Sequence, residues 1–171
     1  PRREATQLNL VEAAYLVRKG VVNAYVTAPA PDEPPRPLPL DEFLTLARER
    51  VGRVDGISFD ARLERYTAFR DATWTPKTGA QYGCDLVLYA LNPDRCHSRY
   101  TVTLRRRQDA LPVRQLVRML RVAEQTRKLA VLCDEDGNAV RFRRWVLRGN
   151  QELAERERRA QEHAKAERRA G

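Results

Sequence analysis

Cysteines, long apolar runs and recognisable catalytic signatures are all scarce in this chain, and each scarcity closes off a class of function. Three cysteines (Cys84, Cys96, Cys133) lie far apart with no Cys-x-x-Cys pair, which argues against a disulfide framework and fits a reducing compartment. Cys96-His97 hints at a metal, but no cysteine or carboxylate cluster completes a site, so neither a metal nor another cofactor is expected. No apolar run approaches the roughly 20 residues that span a bilayer. The segment after Pro1-Arg2-Arg3-Glu4 is amphipathic and lacks a signal-type apolar core. The expectation is a soluble, cytoplasmic protein with no membrane partner. A glycine-rich phosphate loop, a Ser-His-Asp spacing and a carboxylate pair are also missing, so the chemistries they carry have no support.

What is abundant is positive charge. The chain has 171 residues, enough for one medium or two small domains, and an ordinary apolar fraction of 42% that can supply a packed core. Thirty-two basic residues against twenty-three acidic ones give a net charge of +9. That excess favours a polyanionic partner through counterion release and steering, with nucleic acid ahead of an anionic membrane surface.

Residues Asn9 to Lys19 carry apolar side chains at helical spacing, with Asn9 as N-cap, Glu12 three positions on, and Gly20 as the stop. Val21 to Val26 reads as a short strand. Prolines dominate 28–39, which is expected to be an extended surface loop. A second helix starts at Pro39-Leu40-Asp41 and ends at Gly52 and Gly56, and a third covers Asp60 to Asp71. From Thr73 the pattern turns to strands. Trp74-Thr75 leads into a turn at Pro76-Lys77-Thr78-Gly79, followed by strands at Leu86–Tyr89 and Tyr100–Leu104 and a helix from Pro112 to Arg127. A buried-type strand, Leu129–Cys133, then meets a hairpin turn at Asp134–Asn138 with its Asp-Gly signal and a return strand, Ala139–Leu147. The fold class is therefore α/β (α+β): a small N-terminal helical/β domain (1–72), a β-rich mixed-sheet domain with one long helix (73–150), and a charged tail (151–171) whose Glu and Arg at i,i+4 spacing are compatible with a helix.

Three side chains stand at strand ends or at the helix–strand junction: Tyr89, His97 and Lys128. Together they offer a base, an acid and a fixed cation. RNA is cut without a metal when its own 2′-OH attacks the adjacent phosphate, and that reaction needs those three roles. Histidine titrates near working pH and suits the acid. Lysine is a compact point charge for the phosphorane. Tyrosine is a poor base unless nearby cations lower its pKa. Each residue also has a plainer reading: a half-buried packing tyrosine, a surface or capping histidine, a solvated lysine at a helix end.

Order and spacing add what the single residues lack. Tyr-Gly-Cys-Asp-Leu-Val-Leu-Tyr ending at Tyr89, His-Ser-Arg-Tyr from His97 and Arg-Lys-Leu-Ala-Val-Leu around Lys128 resemble the catalytic domain of the tRNA-splicing endonuclease family. Leu10 to Gly20 resembles the N-terminal domain of its archaeal subunits. The likeness implies a nuclease-like C-terminal fold, Tyr89 as general base, His97 as general acid and Lys128 as transition-state stabiliser. Its implied products carry 2′,3′-cyclic phosphate and 5′-OH ends, cut from precursor tRNA at bulged intron junctions. It further implies an arginine clamp on a bulged base at Arg121 and Arg143, with Arg144 the near alternative; a surface arginine is the plainer reading of Arg121. Other endonuclease subunits are implied as partners, in a homotetramer or a heterotetramer with a structural subunit, docked by an acidic loop at Asp134, Glu135 and Asp136. One departure stands out: the family's Arg-Gly turn after the third helix is replaced here by Ala72-Thr73-Trp74-Thr75, which puts the turn's geometry in question. Two alternatives stay open, a non-catalytic subunit of the same assembly and a basic RNA-binding module without chemistry.

Overall fold

A computed structural model of the chain describes residues 7–26 and 34–142. The first helix, α1 (Leu10–Arg18), opens with the capping box its sequence announces: Asn9 accepts the Glu12 N–H, and Glu12 accepts the Asn9 N–H. It closes in a Schellman motif with left-handed Gly20, in which Val21 donates to the Leu16 carbonyl. That closure draws Val21 into the helix cap, so the expected strand from Val21 shortens to β1 (Ala24–Val26).

The proline segment holds a short strand, β2 (Arg36–Leu38), which pairs antiparallel with β1 and sets Pro37 opposite Tyr25. A two-stranded ribbon is all edge, so the missing proline N–H is tolerated. After α2 (Leu40–Val51) comes a hairpin of β3 (Arg53–Val54) and β4 (Ile57–Ser58). Its Asp55-Gly56 turn has positive φ at both positions, as a type I′ turn requires.

The third helix, α3 (Phe59–Asp71), is N-capped by Ser58 and buries two faces. Phe59 and Leu63 join Ala14 of α1 and Ala47 of α2 in one core. Ala61 and Phe69 pack against the other core, built from Ile57 and the sheet residues Leu88, Val102, Leu104, Val131 and Cys133. A helix sandwiched between two cores has no single apolar stripe.

Beyond it the chain forms a five-stranded mixed sheet in the order β5 (Thr75–Thr78), β6 (Leu86–Tyr89), β7 (Tyr100–Arg105), β8 (Leu129–Asp134), β9 (Ala139–Phe142). Only β7 and β8 are parallel, joined by α4 (Val113–Gln125), which packs on β8. The protein is thus of mixed α/β class. The turn expected at Pro76–Gly79 is instead strand β5. As an edge strand it accommodates a buried Pro76 opposite Leu88, and the turn follows at Gly79–Gly83. β9 reaches Phe142; the expected strand end at Leu147, Arg143 and the 151–171 tail lie outside the described residues. Among the described residues, no helix is long and apolar enough to cross a membrane.

The departure after the third helix resolves into a definite geometry. Thr73 adopts φ 68° while Trp74 donates to the Phe69 carbonyl, giving a Schellman closure with a β-branched residue in the left-handed position. Relief of that strain, partly offset by the flexibility of glycine in the unfolded chain, leads us to expect Thr73→Gly to stabilise the fold by about 1 kcal/mol in urea denaturation. A loss of stability would contradict this account of the turn.

Candidate active site

Because β6 is antiparallel to β7 and β7 parallel to β8, the end of β6 and the starts of β7 and β8 meet at one end of the sheet. The last full row across the three strands is Leu88–Tyr100–Leu129. The ladder extends one step outward: Arg99 donates to the Leu88 carbonyl (2.8 Å), and Leu129 to the Arg99 carbonyl (3.0 Å). Tyr89 lies one residue past that row on β6, Lys128 one residue before it on β8, and His97 two residues before Arg99. The three sequence-selected residues therefore come to a common end of the sheet. By the alternation of strands, Tyr89 shares a face with Val87, and Lys128 continues the parity of Ala130 and Leu132, on the side opposite the α3 core.

Lys128 is fixed at both ends. Its backbone closes α4: Lys128 donates to the Ala123 carbonyl (2.7 Å) and Arg127 to the Glu124 carbonyl (3.0 Å), with Arg127 left-handed at φ 55°. This is the Schellman pattern with arginine where glycine is usual. Its ammonium donates to the Thr126 carbonyl at 3.1 Å and lies 4.6 Å from the centre of the Tyr82 ring. Among the described residues no carboxylate stands within ion-pairing distance of it.

His97 is exposed in the loop between β6 and β7, beside buried Ser98. The loop is shaped by Asn92, whose side chain accepts the Asp94 N–H and whose carbonyl accepts the Arg95 N–H and the Cys96 thiol. Tyr89 is half-buried. The arrangement is open to a substrate at the histidine and sheltered at the tyrosine.

Behind the site, Asp85 pins the start of β6. Its carboxylate takes the Arg62 guanidinium at 2.6 Å and the Leu104 N–H at 2.7 Å, while its own N–H bonds to the Val102 carbonyl. The neighbouring Cys84 thiol is pushed up to about 11, first by burial and then by Asp85, against the downward pull of a Val102 backbone bond and Lys128. It stays neutral at pH 7 and leaves the charge of the site to Lys128. Composition and spacing did not single out Tyr82, Arg62 or Asp85; Tyr82 and Asp85 lie inside the quoted Tyr-Gly-Cys-Asp motif, where the aromatic ring and the acid were the available signal.

Arg121 is exposed on α4, seven residues before Lys128, in a stripe with Arg114 and Arg118. Among the described residues none of these three arginines holds an ion pair. Arg143, its expected clamp partner, lies outside the described residues. At the β8–β9 hairpin, Asp134 accepts both the N–H and the side-chain amide of Asn138; the side-chain bond is the main cause holding its carboxyl below the ordinary value. Glu135 accepts the Arg107 N–H, and Asp136 stands 4.0 Å from the Arg107 guanidinium. All three acids thus have a partner within their own chain, and Asp136, exposed where the other two are partly buried, is the most outward. Among the described residues, no three His, Cys, Asp or Glu side chains are grouped to hold a metal ion.

Comparison with known proteins converges on this region. A family model described as tRNA intron endonuclease, catalytic C-terminal domain, matches residues 59–142, from α3 to the end of β9. The tRNA-splicing endonuclease of Thermococcus kodakarensis is 30% identical over 142 residues, covering 81% of this chain and 77% of the relative. That of Saccharolobus islandicus is 25% identical over 138 residues, 80% of this chain and 70% of the relative. The Halobacterium salinarum tRNA-splicing endonuclease is 40% identical over 87 residues, 51% of this chain, and the match spans 21% of that longer protein.

Proposed function

Since the chain belongs to the tRNA-splicing endonuclease family, we propose that it is a catalytic subunit that cuts precursor tRNA at bulged intron junctions by transesterification. The observation that carries this reading is the meeting of Tyr89, His97 and Lys128 at one end of the sheet. Tyr89 takes the proton of the attacking 2′-OH. His97, open to solvent, gives a proton to the departing 5′-oxygen. Lys128 holds its charge against the phosphorane, and among the described residues it forms no ion pair within 4.0 Å. The bond broken is P–O5′ and the bond formed is P–O2′, so the products carry a 2′,3′-cyclic phosphate and a 5′-OH.

Arg121 and Arg143 are proposed as the two planes that clamp a splayed base. Asp136, and the hairpin that presents it, is proposed to dock on another subunit, in a homotetramer or with a structural partner. The Arg114–Arg118–Arg121 stripe offers phosphate contacts along the substrate. We therefore expect an Arg114→Ala/Arg118→Ala double variant to lower the log–log salt slope of RNA binding by roughly 0.7–0.9 for each arginine that meets a phosphate. An unchanged slope would remove the stripe from the RNA interface.

The test of the proposed function is cleavage of an intron-containing precursor tRNA in EDTA, with the product ends mapped. Cyclic phosphate and 5′-OH ends are expected, from the chain alone or with a partner subunit. Tight binding without cutting under either condition would favour a binding subunit.

A further inference from the structure

Lys128 carries its charge on a flexible four-carbon stem that must be aimed. Two neutral groups answer this: the Thr126 carbonyl at 3.1 Å and the Tyr82 ring at 4.6 Å. We propose that Tyr82 is a positioning residue for Lys128, whose ring face holds the ammonium toward the scissile phosphate without neutralising it. The proposal rests on the reading of Lys128 as the group that steadies the phosphorane.

A lysine ammonium has three N–H donors and a stem with considerable rotamer entropy. A carboxylate would restrain it strongly but cancel the charge the reaction needs. An aromatic ring attracts the cation through its quadrupole and keeps the full positive charge. With one N–H on Thr126 and one side of the ammonium against the ring, donors remain for a phosphate oxygen.

Tyr82 is itself held in place. It ends a short 3-10 turn (Ala80–Tyr82) that closes on left-handed Gly83, and its N–H bonds to the Gly79 carbonyl at 2.8 Å. Gly79 is packed so closely that a Cβ there would collide with the Cys84 thiol. The Asp85 ion pair fixes the next residue but one after Gly83. The ring is therefore part of a rigid turn, and the lysine backbone is locked by the closure of α4.

The test replaces Tyr82 by Phe, by Leu, and by a series of increasingly fluorinated phenylalanines, which weaken the ring quadrupole at nearly constant shape. Single-turnover cleavage is expected to stay near wild type for Tyr82→Phe. The saturating single-turnover rate should fall roughly tenfold for Tyr82→Leu, with the half-saturating enzyme concentration within twofold, and step down with each added fluorine. The same proteins give a readout independent of cleavage: the ring shifts the Lys128 ε-methylene NMR signal upfield, and that shift is expected to vanish in Tyr82→Leu. Flat rates across the fluorinated series, or wild-type rates for Tyr82→Leu, would overturn the proposal and leave Tyr82 a packing residue. A wild-type protein that fails to cleave would instead count against the proposed function. The NMR shift would still decide whether the ring holds the lysine.

Discussion

Replacing His97 by alanine is expected to slow RNA cleavage by roughly 10²–10⁴-fold, the usual contribution of a general acid, while RNA binding stays within a few-fold. The size of the effect follows from the role: without a proton donor, the 5′-oxygen must leave as a high-energy alkoxide. Its selectivity follows from the setting. His97 is exposed and its side chain makes no hydrogen bond among the described residues, whereas the loop around it is shaped by Asn92. Truncation therefore leaves the loop intact. Stopped-time cleavage assays and filter binding on the same preparations separate the two quantities. Comparable loss of both, or a large drop in melting temperature, would make His97 structural.

A large effect on stability is expected at Asp85, outside both hydrophobic cores. Its carboxylate and the Arg62 guanidinium, 14% and 13% exposed for Arg62 and Asp85 side chains in turn, form a largely buried pair at 2.6 Å. Asp85 also accepts the Leu104 N–H, and Arg62 donates to the Val54 carbonyl, so the pair ties the β3–β4 hairpin, α3 and two sheet strands together. Asp85→Ala leaves Arg62 buried without its counter-charge and strips an acceptor from a sheet N–H. We expect a loss of about 3–5 kcal/mol in denaturant unfolding. Arg62→Ala should cost a similar amount, and the double variant much less than the sum, because the second change removes an already orphaned charge. A cost below about 1 kcal/mol for Asp85→Ala would mean that water repairs the site.

Much of this was legible from local signals. The capping box at Asn9 and Glu12, the Gly20 stop and the Asp-Gly hairpin after β8 are short-range devices, and each forms as its residues require. Strands β6, β7 and β8 are legible to within a residue or two of their bounds, because Leu86–Tyr89 and Leu129–Cys133 are unbroken apolar runs and Tyr100–Leu104 is rich in β-branched residues. The departures fall on residues that usually break structure and, at Val21, on a helix cap that a strand-like pattern hides. Pro37 and Pro76 predict loop and turn, yet both sit in edge strands, where a missing N–H is harmless. Gly56 suggests a helix terminator, although Asp55-Gly56 is itself a hairpin signal. Thr73 and Arg127 hide left-handed caps behind residues that rarely occupy them.

At the candidate site Tyr89, His97 and Lys128 are visible as a pattern, but the residues around them are not. Tyr82, Arg62 and Asp85 act across sequence distances that only the fold closes. No periodicity links a tyrosine in a turn to a lysine forty-six residues later. The acidic hairpin shows the converse: three acids that look alike in sequence divide into Asp134 and Glu135, partly buried and accepting backbone N–H groups, and an exposed Asp136 whose partner is the Arg107 guanidinium at 4.0 Å.

The central claim is that this chain uses the substrate's own 2′-OH as nucleophile. The most direct measurement compares two precursor tRNAs in EDTA, identical except for a single 2′-deoxynucleotide on the 5′ side of one scissile bond. The account predicts cutting at every junction of the all-ribose RNA and none at the deoxy junction, with binding of the two unchanged. Cleavage at the deoxy junction would show that another nucleophile does the work and would contradict the assignment of Tyr89, His97 and Lys128.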